Sequence, residues 1–263
     1  MNITTLLDKV YFAPRLKKID FYANRAGELQ HRVLDRLVRM AENTEWGKKY
    51  DYKSIHTYED FRNRLPIQTY EEVKPYVERL RAGEQNLLWP SEIRWFAKSS
   101  GTTNDKSKFL PVSKEALNDT HYQGGKDAVA LYLGQNPDSR FFSGQGLILG
   151  GSHSPNLNSR HGLVGDLSAI LIQNIHPLVN CVRVPSKKIA LMSDFEKKIE
   201  AIANSAVSKD VTSLSGVPSW MLVLIKRILE KTGKQSLEEI WPNLEVFFHG
   251  GVAFTPYREQ YKE

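Results

Sequence analysis

A single cysteine among 263 residues, Cys181, excludes an internal disulfide and a cysteine-rich metal site, and predicts a reducing, cytoplasmic setting. No window approaches the roughly 18 unbroken apolar residues of a membrane-spanning helix. The opening stretch, Met1 to Leu16, lacks the lysine-led apolar segment and small-residue cleavage site of a secretory signal. Neither a membrane nor secretion is therefore expected. The 7 histidines show no H-E-x-x-H or other paired spacing, so no zinc site is expected. An arginine-rich arm is also lacking, as is any basic stripe with interleaved aromatics. Lys and Arg number 36 against 30 Asp and Glu, a net charge of +6. The pairs Lys187-Lys188, Lys197-Lys198 and Lys226-Arg227 sit beside acids or inside helical patterns, and read as solvated faces. Nucleic acid is not an expected partner. What remains, 41% hydrophobic and 25% charged residues, is the balance of a globular chain long enough to bury a real core. There is no internal repeat and no low-complexity linker.

Helical signals dominate the first third. Leu29, Val33, Leu37 and Ala41, with Leu34 and Val38, recur every four residues and predict one helix within Asp20 to Glu42. Thr57 with Asp60, and Thr69 with Glu72, have capping-box spacing. The first predicts a short helix ended by Pro66, the second a helix from Tyr70 to Arg81 stopped by Gly83, although Pro75 inside it removes a donor. After Trp89-Pro90, short apolar runs alternate with helical patterns, as in a layered α/β domain. Strands are predicted at Arg94 to Ala97, Gly146 to Gly150, Val182 to Val184, Val211 to Leu214 and Leu244 to Phe248. Helices are predicted from Ser113 to Leu133, from Asp194 to Val207 with Ser193 as cap and Phe195, Ile199, Ile202 and Ala206 inward, and from Pro218 to Lys231, ended by Gly233. A further short helix follows Ser236. The last strand, helix and strand make a β-α-β crossover. The expected fold class is α/β: a mainly helical region, residues 1–88, followed by a layered α/β domain, residues 89–263.

One segment carries chemistry. Trp95 to Ser113, WFAKSSGTTNDKSKFLPVS, sets an apolar strand before a run of hydroxyl-bearing residues, then lysines, then a second apolar run. Ser99, Ser100, Thr102 and Thr103 offer hydroxyls, Gly101 lets backbone N–H groups approach an anion, and Lys106 and Lys108 supply positive charge. These same residues also compose exposed turns, and on composition both readings stand. No second glycine precedes a Lys-Ser or Lys-Thr at the spacing of a Walker loop. Gly150-Gly151-Ser152-His153-Ser154 only half-matches a nucleophile elbow and reads as a loop after a strand. Cys181, in a Val-rich stretch, reads as a small buried thiol.

SSGTTNDKSKFLP resembles the phosphate-binding motif of adenylate-forming enzymes, and specifically that of the Gretchen Hagen, or auxin-responsive promoter, family of acyl-acid amido synthetases. TEWGKKYDYKSI and YEDFRNRLPIQTYEEVKPYVERLRAGEQNLLWP upstream, with GGSHS, LSGVPSW and FFHGGVAFTPY downstream, resemble that family in the same order, from about Leu29 to Glu263. The resemblance implies an adenylation-type α/β domain that is incomplete at its C-terminus, and ATP and Mg²⁺ as cofactors. It also implies that Ser99, Ser100, Gly101, Thr102, Thr103 and Lys108, with Lys106 as a lesser candidate, grip the phosphates of ATP. His249, Gly250 and Gly251 fall where such enzymes turn beside the adenosine; a plain strand-ending turn is the other reading. Val217, Pro218 and Trp220 lie at a helix start that borders the acyl pocket in such enzymes, and equally suit a core.

Enzymes of this kind join a small carboxylic acid to an amine, usually of an amino acid. A carboxylate oxygen attacks the α-phosphorus of ATP, pyrophosphate leaves, and the amine then displaces AMP. Fixed donors and Mg²⁺ stabilise the charge that grows on the leaving pyrophosphate. The family pattern continues with a Tyr-Ala-Ser-Ser-Glu-like motif for Mg²⁺, a Gly-Asp motif for the ribose and a mobile C-terminal domain. None of these is in the sequence, so the resemblance covers a front half, with the remaining half as an expected partner. A non-catalytic nucleotide-binding or interaction module derived from such an enzyme is the alternative. These 263 residues alone are expected to catalyse little carboxylate-dependent pyrophosphate exchange, and robust exchange by this chain in a radiolabel assay would contradict the front-half reading.

Overall fold

The computed structural model describes residues 3–99 and 107–262. Two compact units emerge: Ala13–Leu131 with Ser154–Gly165, and Met1–Phe12 with Tyr132–His153 and Asp166–Glu263. The described residues form strands β1 (Trp95–Lys98), β2 (Phe109–Val112), β3 (Gln145–Leu149), β4 (Leu163–Gly165), β5 (Arg183–Val184), β6 (Val211–Gly216) and β7 (Val246–His249). The helices that matter most are α1 (Ala26–Ala41), α2 (Tyr58–Arg64), α3 (Tyr70–Arg81), α4 (Leu167–Asn174), α5 (Phe195–Ala206) and α6 (Pro218–Thr232). An α/β fold is the outcome, the class that the sequence predicts; β4 and α4 were not among the predicted elements.

In the first unit both capping boxes form. Asp60 N–H donates to Thr57 Oγ1 at 3.1 Å and Thr57 N–H to Asp60 Oδ2 at 2.9 Å, which starts α2. Glu72 Oε2 accepts from the Thr69 N–H at 2.6 Å and from its hydroxyl at 2.8 Å, which starts α3. Pro75 leaves α3 continuous, and Gly83 follows it at φ +107°, a conformation open to glycine at little steric cost. The predicted helix over Asp20 to Glu42 is instead two, Ala13–Asn24 and Ala26–Ala41, broken at Arg25. Its apolar stripe is covered only in part: Val38 and Ala41 are buried, whereas Val33 and Leu37 face solvent. The helix from Ser113 reaches Gln135, widening over Ala116–Tyr122. Strand β1 sits centrally between antiparallel β2 and parallel β4, and Phe96 packs with Val77, Leu80 and Val164.

The second unit is built on a four-stranded parallel sheet in the order β5-β3-β6-β7. Helix α6 buries Met221, Leu224, Ile225 and Ile228, the i, i+3, i+4, i+7 face that periodicity marks, and Gly233 ends it at φ +67°. Ile199, Ile202 and Ala206 of α5 face the same core, together with Leu147, Leu149 and Trp241. Four expectations are corrected. Asp194, not Ser193, caps α5, its carboxylate accepting from Lys197 N–H at 3.0 Å. Phe195 is 40% exposed and lies outside the core cluster, its ring facing that of Trp220 instead. The short helix after Ser236 is a single turn closed by Trp241 N–H on Leu237 O. Cys181 is exposed, because the segment Pro177–Val182 is a tight helical turn and the strand starts only at Arg183. Glu245, just before β7, ties this sheet edge to the chain around Tyr132. Its carboxylate accepts from Tyr132 OH and Ser139 Oγ, both at 2.6 Å, and from Arg140 N–H at 2.7 Å. Burial and that carboxylate push the Tyr132 phenol up to about 12.

Leu224→Ala removes a fully buried side chain of α6. It should lower the unfolding free energy by about 2–5 kcal/mol, read as a drop in the urea midpoint at unchanged slope.

Candidate functional site

The hydroxyl-rich segment joins β1 to β2. Ser99 N–H donates to Lys108 O at 2.9 Å, and Lys108 N–H to Ser99 Oγ at 3.3 Å, so these two residues close the mouth of the hairpin. Ser100, Gly101, Thr102, Thr103 and Lys106 lie outside the described residues. Tyr70, held at the start of α3 by the Thr69 capping box, accepts from Phe109 N–H at 2.9 Å and anchors β2 to the helix. The Lys108 ammonium stands 5.6 Å from the Tyr70 ring centroid.

The other candidates lie in the parallel sheet. Leu149 pairs with Gly216, and Gly216 with His249, so β3, β6 and β7 all end at one level. The carboxyl ends of parallel strands are where α/β folds place ligands. Each strand end runs into a turn or a helix start: Gly150-Gly151 after β3, Val217 after β6, Gly250-Gly251 after β7. Gly251 is at φ +84°, and a Cβ there would lie 3.2 Å from Val217 Cγ2, so the turn after β7 lies against the start of α6. His249 is exposed, and its ring stacks on Phe254 at 4.5 Å. Pro218 is buried, and its carbonyl accepts from Tyr261 OH at 2.8 Å. Trp220 is 39% exposed, its ring 6.0 Å from that of Phe195. Both rings border a cleft of about 320 Å³ shared with Gly150, Gly151, Ser152, Asp166, Ser193 and Lys198.

Asp166 and Lys198 went unsingled in the sequence. Lys198, read there as part of a solvated basic pair, is only 2% exposed. It lies four residues before Ile202 and eight before Ala206, on the buried stripe of α5, a spacing that was the available signal. Its ammonium donates to Gly151 O at 2.9 Å and to Gly150 O at 3.3 Å. Burial pushes its pKa down, against the opposing pull of Asp166. Asp166 Oδ2 accepts from Ser152 N–H at 2.8 Å, and Ser168 Oγ from Gly151 N–H at 2.8 Å. A Cβ on Gly151 would collide with the Asp166 carboxylate, so glycine is required at this close approach. The loop Gly150–Ser154 is thus a strand-ending turn braced by a buried cation and a carboxylate. Among the described residues, no group of three or more His, Cys, Asp or Glu is arranged to hold a metal ion, and no helix is long and apolar enough to cross a membrane.

The fold is shared with part of a solved acyl acid amido synthetase. The solved structure of GH3.15 acyl acid amido synthetase superposes with a TM-score of 0.74 at 16% identity, over 94% of this chain and 53% of that one. The family model for the GH3 family N-terminal domain matches residues 15–263, and the chain belongs to the GH3 family. Indole-3-acetic acid-amido synthetase GH3.2 of Arabidopsis thaliana is 30% identical over 103 residues, covering 39% of this chain and 19% of that protein. Jasmonoyl-L-amino acid synthetase JAR4 of Nicotiana attenuata is 26% identical over 106 residues, covering 40% of this chain and 18% of that protein. The chain thus spans about half the length of its structural match, and its alignments with these curated relatives span about a fifth of theirs.

His153, in the braced loop, has its pKa lowered by burial, with the Lys187 and Lys198 charges acting in the same direction against a backbone hydrogen bond. The folded state therefore takes up its proton at lower pH than the unfolded chain, whose imidazole titrates near 6.5. Stability should fall as pH drops through and below that value. Thermal melting at pH 7.5 and 5.5 should show a larger loss for the native chain than for His153→Gln, by a few degrees.

Proposed function

We propose that this chain is the nucleotide-gripping portion of an ATP-dependent acyl-acid amido synthetase, a ligase that adenylates a small carboxylic acid and passes the acyl group to an amine, usually of an amino acid. The observation that carries the reading is the family match over residues 15–263, which includes the hydroxyl-rich segment whose flanks, Ser99 and Lys108, close a hairpin. The names of two relatives, one for indole-3-acetic acid and one for jasmonoyl-amino acid, support a small organic acid and an amino acid as substrate classes.

On this reading Ser99, Ser100, Gly101, Thr102, Thr103, Lys106 and Lys108 hold the phosphates of ATP. Hydroxyl, N–H and ammonium donors suit that task because they meet negative charge without reorganising. His249, Gly250 and Gly251 border the adenosine, where a turn without side chains lets a flat ring approach the backbone. Val217 and Trp220 border the acyl group, a role supported by the half-exposed indole beside an open cleft. Residues 1–88 act as a helical region and residues 89–263 as the front of the adenylation domain, in a cytoplasmic setting that the single cysteine supports. Mg²⁺ belongs to the family pattern, but the described residues offer it no cluster of ligands, and no step is assigned to it.

In the complete protein, Lys108→Ala should lower the adenylation rate about a hundredfold or more while leaving the melting temperature nearly unchanged, because a donor to the leaving group is lost and a partly exposed lysine contributes little to the fold. Carboxylate-dependent pyrophosphate exchange reads the first quantity and calorimetry the second. Unchanged exchange would refute the assignment of the loop.

A further inference from the structure

A cleft of about 740 Å³ opens between α3 and the β1–β2 hairpin. Four cations line it: Lys74 and Arg81 from α3, Lys98 from the end of β1, and Lys108 from just before β2. Two acids, Glu71 and Glu78, also line it, so the cleft carries an excess of positive charge. Strand alternation aims Lys98 inward. It shares a face of β1 with Phe96, which is fully buried against α3, and pairs across the hairpin with Phe109.

Lys74 is paired with Glu71 and Glu78, whereas Arg81, Lys98 and Lys108 have no carboxylate partner among the described residues. The Arg81 guanidinium lies 3.9 Å from the Phe109 ring centroid and donates through Nη2 to Leu157 O at 2.9 Å, leaving its Nε–H buried and unpaired among the described residues. The Lys74 ammonium is 3.6 Å from Glu71 and 4.0 Å from Glu78, ion pairs without a short hydrogen bond, from which an incoming multiply charged anion can draw it. Among the described residues Lys98 forms no ion pair, and the Lys108 ammonium makes only the contact with the Tyr70 ring. Because Tyr70 and Phe109 already carry cations on their faces, they serve to position charge and are poor platforms for a base. Clustered positive charge on partly buried walls, with no open aromatic face, fits a small anion bearing several charges close together.

We propose that Lys74, Arg81 and Lys98 form a diphosphate subsite that receives the pyrophosphate leaving group of adenylation. The inference rests on the reading of Lys108 as a phosphate ligand, since Lys108 belongs to both the loop and the cleft. In that step the carboxylate oxygen forms a bond to the α-phosphorus of a nucleoside triphosphate. The bond from that phosphorus to the bridging oxygen breaks, and its electron pair leaves on pyrophosphate, which the cleft cations stabilise. Two sources share the chemistry: the β- and γ-phosphates of bound triphosphate, and free pyrophosphate.

Isothermal titration of the 263-residue chain with inorganic pyrophosphate, ATP and AMP at fixed ionic strength tests this. Pyrophosphate should bind, Lys74→Gln and Lys98→Gln should each weaken it about tenfold, a change of about 1.4 kcal/mol, and AMP affinity should not respond. Lys98→Arg should restore most of the loss. Glu71→Gln should tighten pyrophosphate binding several-fold, a gain that a damaged fold would not produce. Equal pyrophosphate affinity in the native chain and both lysine variants, or no pyrophosphate binding by the native chain, overturns the subsite. If Lys108→Ala weakens ATP while Lys74→Gln and Lys98→Gln do not, the subsite fails and the loop reading stands. If all three leave ATP unchanged, both fail.

Discussion

The hydrogen-bonded register of three parallel strands underlies the organisation of the sheet unit. Leu149, Gly216 and His249 stand in one row across β3, β6 and β7, so the turns that follow them emerge together at the carboxyl edge. A slip of one residue in any strand would carry its side chains to the opposite face of the sheet and move its terminal turn away from the others. The core prevents that slip. Leu147 and Leu149 of β3 and Leu214 of β6 are committed to the interior with α5 and α6, and any other register would exchange them for solvent-facing partners.

That edge is reinforced by polar groups in an environment where polarity is expensive. A lysine ammonium moved into a protein interior without acceptors is strongly disfavoured. Lys198 is tolerated because two backbone carbonyls at the end of β3 accept from it, and because Asp166 lies near enough to oppose the effect of burial. The arrangement acts in both directions: the carbonyls Gly150 O and Gly151 O, at the point where the ladder stops, receive a donor that no neighbouring strand supplies. The loop after β3 is thereby fixed in shape, and with it the wall of the cleft beside Trp220.

The hairpin unit rests on a different device. Its helix begins at a capping box that sequence spacing alone reveals, and that box fixes Tyr70, whose hydroxyl accepts from the backbone of β2. A local rule thus sets the position of a long-range contact. The same helix presents Lys74 and Arg81 to the hairpin. Arg81 shows how a charge is kept in place without a carboxylate, by an aromatic face on one side and a carbonyl on the other.

The capping boxes at Thr57 and Thr69, the glycine stops at Gly83 and Gly233 and the inward Ile199, Ile202 and Ala206 of α5 were legible because each depends on neighbours within about one or two helical turns. The hydroxyl-rich segment was likewise visible, since its composition and the strands flanking it are local properties. Where the reading failed, the deciding contact was distant in sequence or a local rule had two solutions. Ser193 and Asp194 are both competent caps, and in the fold it is Asp194 whose side chain accepts from the Lys197 N–H. Cys181 lies in an apolar run that bends into a tight turn before the strand begins, so a residue of buried character is left in solvent. Lys198 looks like half of a surface pair until the carbonyls of Gly150 and Gly151, 48 and 47 residues away, are brought to it. The sequence by itself determined most of the elements, the two capping boxes and the composition of the hydroxyl-rich segment, because hydrogen bonds and periodicity within a turn or two decide those. Only the tertiary structure decided which charges are buried, how much of an apolar stripe is covered and which strand ends share one edge, because burial and register are set by groups that the chain brings together after folding.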